Sequence, residues 1–284
     1  MVTKLKNISH LFLTRRQKIR EARAVQPEKE SPPLYTVLIA GLAGNGASSG
    51  FSSSLAKALC KKVSSVFLFN AGHDVIKSAL IMRYVHSGAG TDHVETVTEN
   101  FCLGEQFEGI HENLTGDNLM LINDARLDGH DLPADYLDMT GALILLITPD
   151  TDAERVCDLA AYVLRRKPAV TVHVCVTETD SSAEAAALFT DLDQRFKEKM
   201  AEAPLHYLGQ APSSAAPQQV VMGGRIINLA RPEVMQATEN QFHQIAESLL
   251  ASRADNSSAQ PSYEVLHLLQ NLLVQSYPQM FMNK

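Results

Sequence analysis

The sequence has few residues that could form a disulfide framework or a metal site. Its four cysteines, Cys60, Cys102, Cys157 and Cys175, lie far apart and form no CxxC pair. The ten histidines are scattered, and no HExxH motif is present. These absences argue against disulfides and zinc, so we expect no bound metal and a reducing compartment such as the cytoplasm.

The chain also lacks a long apolar segment. Its longest apolar run, around residues 142–147, is far shorter than the roughly 20 residues of a membrane-spanning helix. At the start of the chain, charges interrupt the apolar residues and no small-residue cleavage site follows, so we expect no signal peptide.

Positive charge is scarce outside the first 24 residues. The chain has 25 basic and 32 acidic residues, a net charge of −7. Residues 1–24 hold seven of the basic residues and one acidic residue, which leaves 18 basic and 31 acidic residues, a net charge of −13, in the remainder. A basic arm on an acidic body indicates that the arm has its own partner.

The basic arm has the periodicity of an amphipathic helix over residues 3–24. Leu5, Ile8, Phe12 and Ile19 fall near one face, with cationic residues around them. Such a helix suits an acidic protein face or an anionic membrane surface, or it packs on its own domain. Nucleic acid is disfavoured, because the body is acidic and no base-stacking aromatic pattern accompanies the charge. We therefore expect a protein partner and a cytoplasmic protein, with peripheral binding at the inner face of the membrane as an alternative.

Composition and periodicity divide the chain into five parts. They are a basic arm (1–25), a polar linker with prolines (26–34), an α/β domain (35–251), a second polar linker (252–262) and a segment with an amphipathic helix (263–284). We expect the two terminal helices to be the interaction elements.

Strand and helix patterns alternate through the central part. Strands are predicted at residues 35–40, 65–70, 118–123, 142–148, 169–177 and 205–208, and helices at 48–62, 73–87, 152–166, 181–200 and 232–251. Short β-branched runs that alternate with helices predict an α/β fold with a doubly wound, mainly parallel sheet that helices cover on both faces.

A glycine-rich loop follows the first predicted strand and opens a helix. It reads Gly41-Leu-Ala-Gly-Asn-Gly-Ala-Ser48, and this strand–loop–helix context is the one in which phosphate-binding loops occur. In such loops, backbone N–H groups and the helix N-terminus face the phosphates, and a lysine at position 47 would reach the β- and γ-phosphates. The lysine is absent. A tight turn without a ligand is the alternative explanation. The candidate nucleotide-binding residues are Gly41, Gly44, Asn45, Gly46, Ser48 and Ser49.

The loop and its helix resemble the deviant P-loop of the MinD/ParA-type ATPases, which include the flagellar-number regulator FlhG. That family carries a signature lysine just after the first glycine, where this chain has Leu42. VFLFNAGHD is similar to the family's Asp-containing switch motif, with Asn70 in place of the first Asp. NLMLINDARLDG is similar to hhhhD-T-P-x-G, with Asn123 at the magnesium-associated Asp and Asp124 displaced by one. The resemblance therefore adds Asn70, Asn123 and Asp124 to the candidate nucleotide-binding residues.

Two further segments resemble the same family more specifically. GALILLITPDTDAERVCDLAAYVL is similar to the segment built around V-x-T-P-E, and LHYLGQAP is similar to Y-L-G-x-I-P of FlhG-like members. The resemblance covers roughly residues 35–250 and implies the P-loop α/β fold.

The departures from the family fall on the residues that the chemistry needs. Leu42 and Ala47 replace two lysines, and Asn70 and Asn123 replace two motif aspartates. Phosphoryl transfer depends mainly on positioning and on neutralising charge around Mg²⁺. We therefore predict a regulatory scaffold with no catalytic residue and no required cofactor, which acts through partners. The resemblance implies a role in placing or regulating a bacterial surface apparatus such as the flagellum.

Alternatives to this interpretation stay open. One is a nucleotide-switched ATPase that uses backbone amides and unconventional cations, and another is an unrelated α/β binding module. Residual ATP or ADP binding is compatible with the retained glycines. Dimerisation is also compatible with the resemblance, because family members often dimerise around bound ATP, although the signature lysine that reaches across that interface is absent here.

Several other polar residues have structural explanations. Asp124, Asp128, His130 and Asp131 could bind a cation after a strand, although a solvated loop explains them better. His173 and Cys175 lie on one face of a strand and are expected to be core residues.

Overall fold

The computed structural model describes residues 33–42, 47–71, 79–87, 91–98, 114, 117–124, 132, 134–179, 181–211, 219–222, 225–228, 232–254, 260–262 and 264–269. The strands are β1 (Pro33–Gly41), β2 (Ser65–Ala71), β3 (Ala79–Ser87), β4 (Thr91–Thr98), β5 (Asn118–Asp124), β6 (Ala142–Ile147), β7 (Thr171–Val176), β8 (His206–Gln210), β9 (Gln219–Met222), β10 (Arg225–Asn228) and β11 (Gln260–Pro261). The helices are α1 (Ala47–Leu59), α2 (Ala134–Met139), α3 (Ala153–Arg166), α4 (Ser182–Lys199) and α5 (Pro232–Ala254), and residues 264–269 are also helical.

Most of these strands form one sheet in the order β4-β3-β2-β5-β1-β6-β7-β8. The six strands from β2 to β8 in this order run parallel, whereas β3 and β4 are antiparallel at one edge and β11 pairs antiparallel with the start of β1. Helices α1, α3 and α4 each follow a parallel strand. This arrangement confirms the predicted doubly wound, mainly parallel α/β fold.

Side chains of the central strands alternate between two hydrophobic clusters, one on each face of the sheet. Val37 and Ile39 belong to the cluster that contains Phe51 of α1 and Phe242 of α5, whose rings lie 5.5 Å apart. Leu38 belongs to the other cluster, which α2, α3 and α4 cover. Both faces of the sheet are therefore buried, which explains why the parallel strands are apolar at almost every position.

The helix that we predicted over residues 73–87 is wrong for residues 79–87, which form β3. Met82 and Tyr84 pair with Leu68 and Val66 of β2, and Tyr84 is buried in the cluster on the α1 side. Pairing on both sides, with β2 and with β4, decides the conformation of this segment, because strand formation depends more on neighbours than on local propensity.

Strand β4 and the β9–β10 hairpin were not predicted. Strand β4 is polar and lies at the sheet edge, so it carries no strong hydrophobic alternation. In the hairpin, Val221 pairs with Ile226, and the sequence between the strands is Gly223-Gly224. Two glycines between β-branched runs are a hairpin signal that our sequence analysis missed.

Within the C-terminal segment, residues 264–269 are part of the core, in contrast to their expected role in an interaction helix. Val265, Leu266 and Leu269 are buried in the cluster on the α3 side of the sheet. Just before them, β11 pairs with residues 33 and 34 of β1, and residues 252–254 continue α5. For residues 264–269 the prediction is wrong, because the sheet of the same chain already covers the apolar side.

Some predicted features lie outside the described residues. They are the basic arm at residues 1–25, Cys102, and the acidic-loop residues Asp128, His130 and Asp131. Among the residues that the structure describes, no helix combines the length and apolar character needed to cross a membrane. The same residues bring together no group of three His, Cys, Asp or Glu side chains suited to a metal ion.

Candidate functional site

The candidate site lies where β1 ends and the chain crosses over to β2. Strand β1 leads through the glycine-rich loop into α1 and then into β2, yet β5 lies between β1 and β2 in the sheet. The strand on the other side of β1 is β6. In open α/β sheets, ligands bind outside the carboxyl ends of the strands at such a crossover.

Leu42, at the position of the expected signature lysine, is a core residue. Gly41 pairs with Leu146 of β6, and the Leu42 N–H donates a hydrogen bond of 3.1 Å to the Leu146 carbonyl. The Leu42 side chain is 6% exposed and belongs to the same hydrophobic cluster as Leu38 and Leu145. Leu42, the second residue of the loop, therefore points its side chain into the protein.

The start of α1 retains the features of an anion-binding helix terminus. Ala47 is the first helical residue, Ser48 is 5% exposed in the first turn, and Ser49 is exposed. The hydroxyl of Ser52 donates to the Ser49 carbonyl at 3.0 Å, which is a local helix contact. The first N–H groups of a helix have no intrahelical acceptor and carry a partial positive charge. Gly44, Asn45 and Gly46 lie outside the described residues.

Asn70 and Asn123, at the positions of the missing aspartates, are neighbours in the sheet. They are register partners at the ends of β2 and β5, and Asn123 is also opposite Ile39 of β1. Asn123 is 2% exposed, and strand alternation places it on the same face as Leu121, under α1. Asp124 follows it, in register with Ala71. The structure thus brings the two asparagines together next to the end of β1, the strand that leads into the glycine-rich loop.

The TPD segment after β6 forms a turn and a helix cap. The Thr148 N–H donates to the Thr151 hydroxyl at 2.8 Å, and the Thr151 N–H donates to the Thr148 carbonyl at 3.0 Å. Asp152 is the N-cap of α3 and accepts a hydrogen bond from the Glu154 N–H at 3.0 Å. These contacts explain the sequence pattern structurally, because N-cap residues satisfy the free N–H groups of a first helical turn.

A strained turn after β7 was missed by the sequence analysis. Glu178 has a backbone φ of 59°, which residues other than glycine rarely adopt. Next to it, the Thr179 carbonyl accepts a hydrogen bond of 2.6 Å from the Gln210 amide, and the buried Thr179 hydroxyl has no partner among the described residues. No local sequence signal marks a positive φ at a glutamate.

The charges that directly follow β6 and β7 are acidic. Asp150, Asp152 and Glu178 are exposed there, and the described residues of these two loops, 148–152 and 177–179, include no lysine or arginine. A triphosphate at this edge would therefore meet the helix N-terminus of α1 but no neighbouring described cation from these loops.

His173 and Cys175 are core residues, as expected. Burial lowers the pKa of His173 to about 3, with a smaller contribution from His206, and burial raises the pKa of Cys175 to about 12. The Ser252 hydroxyl donates to the Leu249 carbonyl at 2.7 Å and lies 3.2 Å from His173 Nε2, so Nε2 is the protonated nitrogen in this contact. Neither side chain is available as a base or nucleophile for the candidate site.

The chain was also compared with known proteins. No protein-family model and no curated protein matches the sequence. Among solved structures, it is similar to a plasmid partition protein from Borrelia burgdorferi, with 12% identity, coverage of 78% of this chain and 100% of that chain, and a TM-score of 0.44. It is also similar to the MinD cell division protein of Aquifex aeolicus, with 11% identity, coverage of 76% and 97%, and a TM-score of 0.47. For the MinC:MinD complex of the same organism, these values are 13%, 76%, 96% and 0.43. Similarity at this level does not assign the chain to a family.

Proposed function

We propose that this chain is a MinD/ParA-like regulatory protein that has lost ATP hydrolysis and acts by binding protein partners. Two features support the proposal: the crossover after β1, and the uncharged residues at four motif positions, which are Leu42, Ala47, Asn70 and Asn123. The resemblance of its sequence segments to FlhG-like proteins suggests a role in placing or regulating a bacterial surface apparatus such as the flagellum.

The burial of Leu42 is the observation that carries the proposal. A side chain that packs with Leu38 and Leu145 cannot extend from the loop towards a phosphate. Burying a leucine side chain stabilises a fold by roughly 1.5–3 kcal/mol, whereas an unpaired ammonium group at the same place would carry a desolvation cost. The loop is therefore built as an extension of the core, and position 42 contributes to stability.

The asparagine pair extends the argument to the metal. A carboxylate at position 123 would offer Mg²⁺ a charged oxygen ligand, whereas the Asn123 amide offers only a neutral one. Its register partner on β2, Asn70, is also neutral, so both positions lack the charge that organises Mg²⁺ around a triphosphate. The carboxylates after β6 and β7 follow different strands from the motif positions.

The expected loss of affinity is large. A hydrogen bond to a charged group contributes roughly 1.5–3 kcal/mol, so two missing lysines weaken triphosphate binding by about 10²- to 10⁴-fold. The α1 N-terminus alone contributes a fraction of that. Nucleotide would then be bound weakly at cellular concentrations, and a partner rather than ATP would determine the state of the protein.

Two measurements on the full chain test this proposal. A titration with a fluorescent ATP analogue and Mg²⁺ should show weak or no binding, and phosphate release should not exceed that of a blank. The matched control is Ala47→Lys, which should strengthen analogue binding but leave turnover at the blank level, because the neutral positions 70 and 123 remain.

Turnover by the unmodified chain at a rate typical of P-loop ATPases would end the pseudo-enzyme proposal. Tight Mg²⁺-dependent binding without turnover would instead favour the nucleotide-switched alternative. Sedimentation with and without the nucleotide would then show whether binding drives dimerisation.

A further inference from the structure

The solvent-facing side of α3 has an aromatic residue at its centre. Tyr162 is 44% exposed, and among the described residues it is the large hydrophobic side chain that lies at the surface. At 100° per residue it lies opposite the buried residues Ala160 and Leu164. A tyrosine in this position gains nothing from the core of its own chain, whereas tyrosine is enriched in the energetically important parts of protein interfaces.

The charges around Tyr162 are distributed unevenly. Towards the start of α3, Glu154 and Asp158 both form ion pairs with Lys199 of α4, at 2.6 Å in the case of Asp158. Towards its end, Arg165 and Arg166 are exposed, and neither forms an ion pair with a described residue. Lys199 therefore offsets one of the two negative charges at the start of this face, while the two arginines at its end are left for solvent or a partner.

A hollow of about 670 Å³ adjoins Arg165, between the C-terminal ends of α3 and α4. Its volume lies within the range of pockets that bind ligands or anchoring side chains. Because it is at the amino end of β7, it lies at the opposite sheet edge from the glycine-rich loop. Apolar residues provide much of its lining: Leu164, Pro168, Val170, Met200, Ala203 and Pro204.

We propose that the exposed end of α3 and this hollow, together the α3 docking surface, bind an acidic segment of a partner protein. An apolar side chain of the segment fills the hollow, its carboxylates pair with Arg165 and Arg166, and Tyr162 packs against it. This inference rests on the proposed function, because it names where a partner-binding scaffold holds its partner.

Charge complementarity selects this occupant. Outside the arm the chain has 18 basic and 31 acidic residues, a net charge of −13, so an acidic partner is repelled by most of the body and attracted to a local cationic surface. A flat anionic membrane would also have to approach the neighbouring acids Glu154, Asp158 and Glu202. A narrow peptide segment can contact the arginines without approaching all of them.

Site-specific photo-cross-linking in the cell that makes the protein tests the inference on the full chain. Tyr162 is replaced by photoreactive p-benzoylphenylalanine, and exposed Gln244 on α5 is replaced in the same way as the matched control. A protein cross-link should form at position 162 and not at position 244, and mass spectrometry should place it in an acidic segment. Arg165→Glu with Arg166→Glu should reduce its yield at least about tenfold, while Arg165→Lys with Arg166→Lys should retain most of it.

Three results would overturn the docking surface. They are a yield at position 162 no higher than at position 244, a cross-linked segment without net negative charge, and a yield that survives the double glutamate change. Thermal unfolding of each variant checks that the fold is retained. Vesicles with 30% phosphatidylglycerol test the membrane directly, and arginine-dependent binding to them would also contradict the inference. If the protein cross-link forms only with Mg²⁺-ATP, the docking surface stands and the nucleotide-independent function fails.

Discussion

Replacing Leu42 gives a direct test of whether the glycine-rich loop begins as part of the core. The side chain is 6% exposed and packs in the cluster with Leu38 and Leu145. Leu42→Ala should cost about 2–5 kcal/mol of unfolding free energy, the range for buried leucine truncations. Leu42→Lys should cost at least as much as Leu42→Ala, because leucine burial is lost and the ammonium group carries a desolvation cost in the apolar cluster. Leu42→Met conserves volume and should cost less than about 1.5 kcal/mol.

Urea unfolding of the full chain, followed by circular dichroism, measures these differences. Leu42→Met should lower the urea midpoint least, and Leu42→Ala and Leu42→Lys should both lower it more, with an unchanged m-value. Lys57→Ala, at an exposed position of α1, is the matched control and should shift stability by less than about 0.5 kcal/mol. If Leu42→Lys is as stable as the unmodified chain and also binds the ATP analogue more tightly, position 42 faces the ligand side, and the argument that carries the proposed function is refuted.

Three further predictions concern the rest of the chain. Leu269→Ala should cost about 2–5 kcal/mol because Leu269 is fully buried, while the control Gln244→Ala at an exposed position of α5 should be neutral in the same urea assay. Equal small effects would return the C-terminal helix to the list of interaction elements. Because burial lowers the pKa of His173 from 6.5 to about 3, the folded state favours the neutral ring, so its stabilising effect is complete above pH 6.5 and falls by about 1.4 kcal/mol per pH unit towards pH 3. His173→Leu should flatten that part of the stability profile, whereas exposed His206→Ala should leave most of it, and an unchanged slope in His173→Leu would contradict the assignment. Deleting residues 1–24 should leave the melting temperature of the body unchanged and remove salt-sensitive binding to anionic vesicles or a captured partner; a large loss of melting temperature would show that the arm belongs to the core.

The parallel part of the fold was predictable because its strands are buried on both faces. Continuous apolar runs such as β6, followed by helices with clear capping residues such as Asp152, give strong local signals. The order of the strands is not local information. That β5 lies between β1 and β2, and so places Asn123 beside Asn70, follows only from the crossover connection.

The failures have a common physical cause in pairing between distant parts of the chain. Strand β3 has a sequence that is compatible with a helix, and its partners β2 and β4 decide otherwise. The turn at Glu178 depends on surrounding contacts, such as the one between Gln210 and Thr179, that no short sequence window contains. The nine residues at the candidate site were predicted from a motif, and burial of Leu42 became visible only through its contact with β6.

The C-terminal segment shows how an amphipathic pattern can mislead. An apolar stripe on a helix establishes that something covers it and leaves open whether the cover is a partner, a membrane or the same chain. Here the cover of residues 264–269 is the same chain: β11 pairs with the start of β1, and Val265, Leu266 and Leu269 enter the core on the α3 side. The exposed face of α3 presents the opposite case, because Tyr162 is a large hydrophobic side chain on the polar side of the helix. Beside it, Arg165 and Arg166 form no ion pair with a described residue. For a protein whose proposed action is binding, exposed side chains without a role in the core are therefore better guides to the partner than apolar helix faces that the core already covers.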